Sequence, residues 1–555
     1  MKKILITSLI IYLLIIVGII FLRANMTFFP YSQKTLVIED SVFQEMDPFI
    51  TEMGEVLVRF DIIKKEIDPY IFWDEKVQKV TITTRDKTIR LKTDSLRAMV
   101  NTKPVWIKIP VKIHREKPYI PIEFLAEFFG IRVTKFPDRN TVVIDFLEKE
   151  RQVAEISKKQ PLKAYPSPLS FNYKVLETGE KVCIYGNKGE WYLVRTDEGI
   201  LGYIKKPRNI KTVVYGKPDF DNSIPAPWKP ARGKINMVWD YIGGKTPDMS
   251  GISIKGLDVI SPTWFSLVDE EGNIDNKGDI NYVRWAHNNG YKVWALIDNS
   301  FNPDITSTVL NNTELREKVI NQILVYAGLY NLDGINIDFE NVYLEDRDAL
   351  TQFVRELAPI LREQGLVISI DVTVKSLSEN WSLCYDRKNL GQAVDYMILM
   401  AYDEHWAGSP VSGSVASIGW VERGIRSLLE EVPAHKVILG LPFYTREWQE
   451  RLLEGGKLEV KSKALSMASA QQHIRENKAD VVWKEEYGQH FATYTKGEYT
   501  FKVWLEDERS IDLKSSLIKK YNLAGAASWR RGFEEPEIWE VLYNNLEKFN
   551  FNTAQ

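Results

Sequence analysis

The chain has 555 residues, 44% hydrophobic and 26% charged, a globular composition too long for one ordinary domain of about 100–200 residues. Lys plus Arg (72) nearly cancels Asp plus Glu (75), and the net charge of −3 argues against nucleic acid as a partner. The two cysteines, Cys183 and Cys384, fit neither a zinc site nor a redox pair and read as small apolar residues.

Lys2 and Lys3 precede an uncharged apolar run, Ile4 to Leu22. About 20 apolar residues span a bilayer, and the segment that follows, Arg23 to Phe29, lacks a small-x-small cleavage site. Residues 1–25 are therefore expected to be a retained membrane anchor rather than a cleaved signal. Either way, the lysines stay in the cytoplasm and the rest is exported. Export without disulfides suits a bacterial envelope better than an animal secretory pathway.

Residues 34–148 read as short strands with one helix per unit and a faint twofold repeat. The stretches beginning at Val56 and Tyr119 each run strand, amphipathic helix, aromatic and Asp, then a Val/Thr/Ile strand. This pattern resembles the N-terminal domain of copper amine oxidases, which implies a binding or spacer role. His114 is the one histidine here, so no histidine cluster could hold copper. Residues 155–212 alternate short strands with turn signals, as in a small β-barrel. The stretch Gly189 to Ile204 resembles bacterial Src-homology-3-like domains, which implies wall targeting. Trp191 and Tyr192 suit either a wall-peptide surface or barrel core. Tyr215 to Lys234, rich in Pro and Gly, reads as a linker.

From about 230 to 550, eight apolar strand candidates alternate with helical patterns, which predicts an α/β fold, a (β/α)8 TIM barrel. The gap between the seventh and eighth strands is too long for one helix, so a small α+β insertion is expected at about 447–522.

The fourth strand candidate carries the densest signal. In Leu332 to Val342, Asn336, Asp338 and Glu340 alternate with Ile335, Ile337 and Phe339. Residues of equal parity share one strand face, and the C-terminal end of a barrel strand is the active-site face. Buried polar groups in a row are costly as packing alone.

"DGINIDFE" resembles the DGxDxDxE signature of glycoside hydrolase family 18, which includes chitinases and peptidoglycan glucosaminidases. "MAYD" at Met400 to Asp403, "GLPFYTREW" at Gly440 to Trp448 and "AGAASWRRG" at Ala524 to Gly532 resemble its sixth-, seventh- and eighth-strand motifs. Asp338 and Glu340 approach a sugar from one side, whereas ordinary glycosidases flank the bond with two carboxyls. That geometry fits substrate assistance, in which the sugar's own 2-acetamido oxygen attacks the anomeric carbon. The resemblance implies Glu340 as general acid and then base, with Asp338 orienting the acetamido N–H. It places Tyr402, Asp403 and Met400 around the acetamido group and Trp529 as the floor of the subsite. Trp264, at the second strand's end, is a further candidate sugar contact.

Two departures stand out. Asn336 replaces the first signature Asp; it is expected to donate a hydrogen bond that keeps Asp338 ionised and turned toward Glu340. "ALIDNSF", Ala295 to Phe301, stands where the family has S-x-G-G, which bears on substrate contacts more than on the acid. No metal-ligand cluster competes with this site, and no cofactor is expected.

The reading is an exported family 18 glycosidase acting on N-acetylglucosamine-containing cell-wall polysaccharide, peptidoglycan ahead of chitin oligosaccharides. A lectin-like barrel without turnover is the alternative of another class, and an envelope scaffold a third.

Overall fold

The structure, a computed structural model, describes residues 2–31, 33–206, 210–214 and 226–548. The chain divides into two compact units, Met1–Ser223 and Ile224–Gln555. The first eleven residues of the expected linker, 215–225, lie outside the described residues.

The apolar run at the start folds as a helix, Lys2–Asn25. Among the described residues no helix is long and apolar enough to cross a membrane. The expected anchor therefore stands on the sequence alone.

The repeat seen in the sequence becomes a pairing. Glu55–Arg59 and Lys117–Pro121, each leading into a short helix, lie antiparallel to one another, Val58 opposite Ile120. Each helix is followed by a hairpin, Phe72–Asp74 with Lys79–Thr83 and Ile131–Phe136 with Thr141–Phe146. Where a small β-barrel was expected, seven strands between Glu150 and Val214 form one antiparallel sheet. Within that unit the two expected modules share a core. On the strand Thr35–Ile38, Leu36 and Ile38 face the hairpin module while Val37 packs with Ala154, Ile156 and Leu162. Trp191 is buried and Tyr192 packs at the edge of that core.

The second unit is a closed barrel of eight parallel strands. We number them β1 (Ile235–Asp240), β2 (Val259–Leu267), β3 (Lys292–Asp298), β4 (Gly334–Asp338), β5 (Val367–Thr373), β6 (Tyr396–Met400), β7 (Val437–Pro442) and β8 (Gly525–Trp529). Each pairs with the next, and β8 returns to β1. Alternate residues point inward, as the pleat requires. Met237, Trp239, Trp294, Leu296, Val367, Tyr396, Ile398 and Ala527 fill the lumen, while the intervening residues pack against the helices. Gly334 shows why the fourth strand opens on glycine: a Cβ there would lie 2.7 Å from Trp294 Cδ1 and from the Val367 carbonyl oxygen. Trp228, from the linker's described end, closes the bottom, edge-on to Trp294 at 6.1 Å and accepting from Tyr396 Oη at 2.7 Å.

An inserted lobe separates β7 from β8. Its five antiparallel strands run from Tyr444 to Trp504, with one helix, Met467–Glu476. The lobe thus begins three residues before the expected boundary. It ends well before 522, because Glu508–Lys520 is the helix that packs under β7 and β8. Both cysteines are buried and unbridged.

Candidate active site

The C-terminal ends of β3 to β6 bring together five carboxyl groups: Asp298, Asp338, Glu340, Asp371 and Asp403. Asp298 and Asp338 end neighbouring strands in register. Glu340 lies two residues beyond β4. Asp371 sits inside β5, 1% exposed, and Asp403 follows β6 with φ at 61°.

Burial dominates the electrostatics. Asp338 is pushed up to about 7, first by burial and then by Asp298. Glu340 is raised well above the carboxylate range by burial, then by Asp338, Asp403 and Asp298. Asp371 is raised well above that range by burial and Asp338. Two carboxylates in one dry pocket hinder each other's ionisation, so the group holds protons at neutral pH. Asp338 Oδ1 is buried without a hydrogen-bond partner among the described residues.

Asn336 corrects an expectation. Its Nδ2 donates to Asp371 Oδ1 at 2.8 Å and Ser369 Oγ at 3.1 Å, not to Asp338, and its Oδ1 accepts from Trp239 Nε1 at 2.8 Å. In a barrel the lumen-facing partners of a β4 side chain come from β1 and β5, not from its own strand. Asp338 is consequently not held ionised by Asn336.

Trp239 organises the floor. Its ring meets Tyr402 edge-on at 6.5 Å and Trp529 at 6.0 Å. Tyr402 and Trp529 are half-buried, and burial with Asp338 and Asp371 raises the Tyr402 hydroxyl well above its usual range. Met400 is 7% exposed at the end of β6. Asp403 accepts from Tyr444 Oη at 2.5 Å and has Arg446 at 3.6 Å, both residues from the first strand of the inserted lobe.

Trp264 does not join them. It is 0% exposed, packed against Phe265, Tyr282 and Tyr330, and has no face to offer a sugar. The register between β2 and β3 slips between Thr263 and Phe265, so a position near the end of β2 did not place its side chain toward the cleft. His405 holds its loop, Nδ1 lying 2.8 Å from the Ser414 carbonyl oxygen, while Trp406 is exposed.

Sequence reasoning missed Asp371 and Trp239. Asp371 carried the same signal as the fourth strand: in "VISIDVT" Ser369 and Asp371 alternate with Ile and Val. It also missed Phe301 and Trp381, 51% and 42% exposed, whose rings lie 6.4 Å apart beyond β3 and β5. Among the described residues no group of His, Cys, Asp and Glu side chains is placed to hold a metal ion.

A profile of the glycosyl hydrolases of family 18 matches residues 249–534, and one of the copper amine oxidase N-terminal domain matches 37–144. The uncharacterized glycosylase YvbX of Bacillus subtilis is 28% identical over 298 residues, covering 52% of this chain and 84% of its own. The cortical fragment-lytic enzyme of the same organism is 31% identical over 251 residues, 44% of this chain and 57% of its own. The spore cortex-lytic enzyme SleL of Bacillus cereus shares the fold, with TM-score 0.50 and 21% identity over 68% of this chain and 91% of its own.

Proposed function

The chain belongs to the glycosyl hydrolases of family 18 and is a glycosidase, and from that premise we propose that it cleaves β-1,4 bonds next to N-acetylglucosamine with assistance from the substrate's own acetamido group. One observation carries this reading: the carboxyl groups gather on the β3–β6 side, while β8, across the barrel from β4, ends on Trp529. Asp240 on β1 is occupied by Arg531 at 2.9 Å and Tyr282 at 2.6 Å. A carboxylate nucleophile flanking the bond from the opposite side is thus missing among the described residues, and an internal nucleophile takes its place.

In this reading the sugar lies over Trp529 with its acetamido group toward Tyr402, Met400 and Asp403. Glu340, protonated in its dry pocket, gives its proton to the glycosidic oxygen as the bond breaks. The acetamido oxygen closes on the anomeric carbon, and Asp338 orients the N–H and balances the oxazolinium charge. Glu340, now a carboxylate, takes a proton from the water that opens the ring. Asn336 acts at one remove by fixing Asp371 beneath Asp338. Phe301 and Trp381 offer flat faces to a neighbouring sugar.

Peptidoglycan is the proposed polymer. Arg530, next to Trp529, lies between the rings of Phe533 and Tyr241, at 3.9 and 5.0 Å, with no carboxylate paired to it among the described residues. A guanidinium held by rings rather than by a carboxylate, next to Trp529, suits the carboxylates that peptidoglycan carries and chitin lacks. The likeness to a cortical fragment-lytic enzyme points the same way. Retention at the envelope by the apolar run Ile4–Leu22 belongs to the proposal, and fractionation of cells expressing the whole chain tests it.

The test of function is release of new reducing ends from purified peptidoglycan and, separately, from N-acetylglucosamine oligomers, beside Glu340→Gln. Release from peptidoglycan that vanishes in the variant is expected. Release from the oligomers alone moves the substrate to chitin-like glycans. Binding without release from either overturns the enzymatic reading in favour of a lectin.

A further inference from the structure

Glu340 stands where the sheet no longer supports it. The ladder between β3 and β4 ends at Asp298 and Asp338, and Glu340 lies two residues further on. At Asn341 the chain turns away with φ at 52°. A general acid nevertheless needs its carboxyl fixed to within about 0.5 Å of the oxygen it protonates.

The support comes from one side chain. Asn299, directly after β3, donates from Nδ2 to the Glu340 carbonyl at 2.7 Å and accepts from the Glu340 N–H at 3.0 Å. The amide thus replaces the missing ladder rung and holds the acid's backbone from both sides. Its second Nδ2 proton goes to Thr306 Oγ1 at 2.9 Å, whose own hydroxyl donates to the Asn302 carbonyl at 2.6 Å. Asn299 and Thr306 are both fully buried. Every donor and acceptor of the amide is used, so other side chains fail for stated reasons. Asp has no proton for the Glu340 carbonyl or for Thr306, Ser is too short to reach both Glu340 groups, and Gln carries one methylene too many.

We infer that Asn299 is the positioning residue of the general acid, holding Glu340 in line with the glycosidic oxygen through its backbone. This rests on the reading of Glu340 as that acid. It gives a role to the segment Ala295–Phe301, which departs from the family's third-strand pattern.

Leaving-group dependence separates positioning from mere structural support. Two aryl glycosides of N-acetylglucosamine oligomers serve as probes, one with a phenol leaving group that needs protonation and one with a dinitrophenol that leaves without it. With the phenol substrate, Asn299→Ala is expected to lower kcat about 100-fold, the scale of a misplacement near 1 Å, with KM little changed. With the dinitrophenol substrate the fall in kcat/KM, which reports bond cleavage and not the later attack of water, should be less than about threefold, because that leaving group needs no proton. Equal losses on both substrates, or no loss on either, overturn the inference. If Asn299→Ala does not fold, Thr306→Val, which removes the hydroxyl that orients the amide, is judged by the same contrast. Glu340→Gln is the separate check: full activity on the phenol substrate overturns the acid assignment itself, whereas a leaving-group-dependent loss in Glu340→Gln without one in Asn299→Ala overturns only the clamp.

Discussion

The two ends of the barrel lumen are built from the same alternating pattern and do opposite things. At the N-terminal end, Trp294 and Tyr396 stack at 5.7 Å and 15°, with Trp228 against them. At the C-terminal end the same inward parity delivers Asn336, Asp338 and Asp371. The first end converts burial into stability. The second buries Asp338 and Asp371 with no cation paired to either among the described residues and raises their proton affinity, the kind of field that keeps a general acid protonated at neutral pH. One end stabilises the fold and the other costs it stability.

Substitutions should separate the two ends, and the largest effect belongs to the polar one. Glu340→Gln should lower kcat about 100- to 10,000-fold, the span of general acid–base catalysis, while thermal unfolding shows no loss of stability, because a neutral isostere removes a buried ionisable group. Trp294→Ala at the apolar end should do the reverse, costing about 3–5 kcal/mol in denaturant unfolding with KM unchanged where the protein remains folded.

The third expected effect is pH dependence of stability. Asp338 is raised in the folded state to about 7 from 3.8. A raised folded-state value means that its contribution is complete below about pH 4 and is lost as pH rises toward 7. Melting temperature should therefore fall across that window, and Asp338→Asn should flatten the fall. The smallest effect is expected from Asp298→Asn. Asp298 raises both Asp338 and Glu340, so its removal eases their ionisation. The basic limb of the kcat/KM profile should move to lower pH by a fraction of a unit; a shift upward would contradict the proposed field.

Much of this was legible in the chain. Eight apolar strands alternating with helices implied the barrel, and polar residues at every second position of a strand marked the end where the carboxyl groups gather. What failed did so for identifiable reasons. Trp264 lay at a register slip that no single strand reveals. The lobe was placed too late at its start and too late at its end, because β7 runs straight into the strand Tyr444–Leu452 with one residue between them. Asp371 was visible by the same alternation as Asp338 but stood in no recognised motif.

The sequence by itself determined the strand order, the shared face of Asn336 and Asp338 on β4 and the close spacing of Asp338 and Glu340, because these depend on local periodicity and short spacing. Only the tertiary structure decided what each amide holds, the Asp371 carboxyl for Asn336 and the Glu340 backbone for Asn299. Asn336 is 35 residues from Asp371, and Asn299 is 41 from Glu340. Those contacts run between neighbouring strands, each separated from the next by helical segments, and spacing along the chain carries no record of the distance across the barrel.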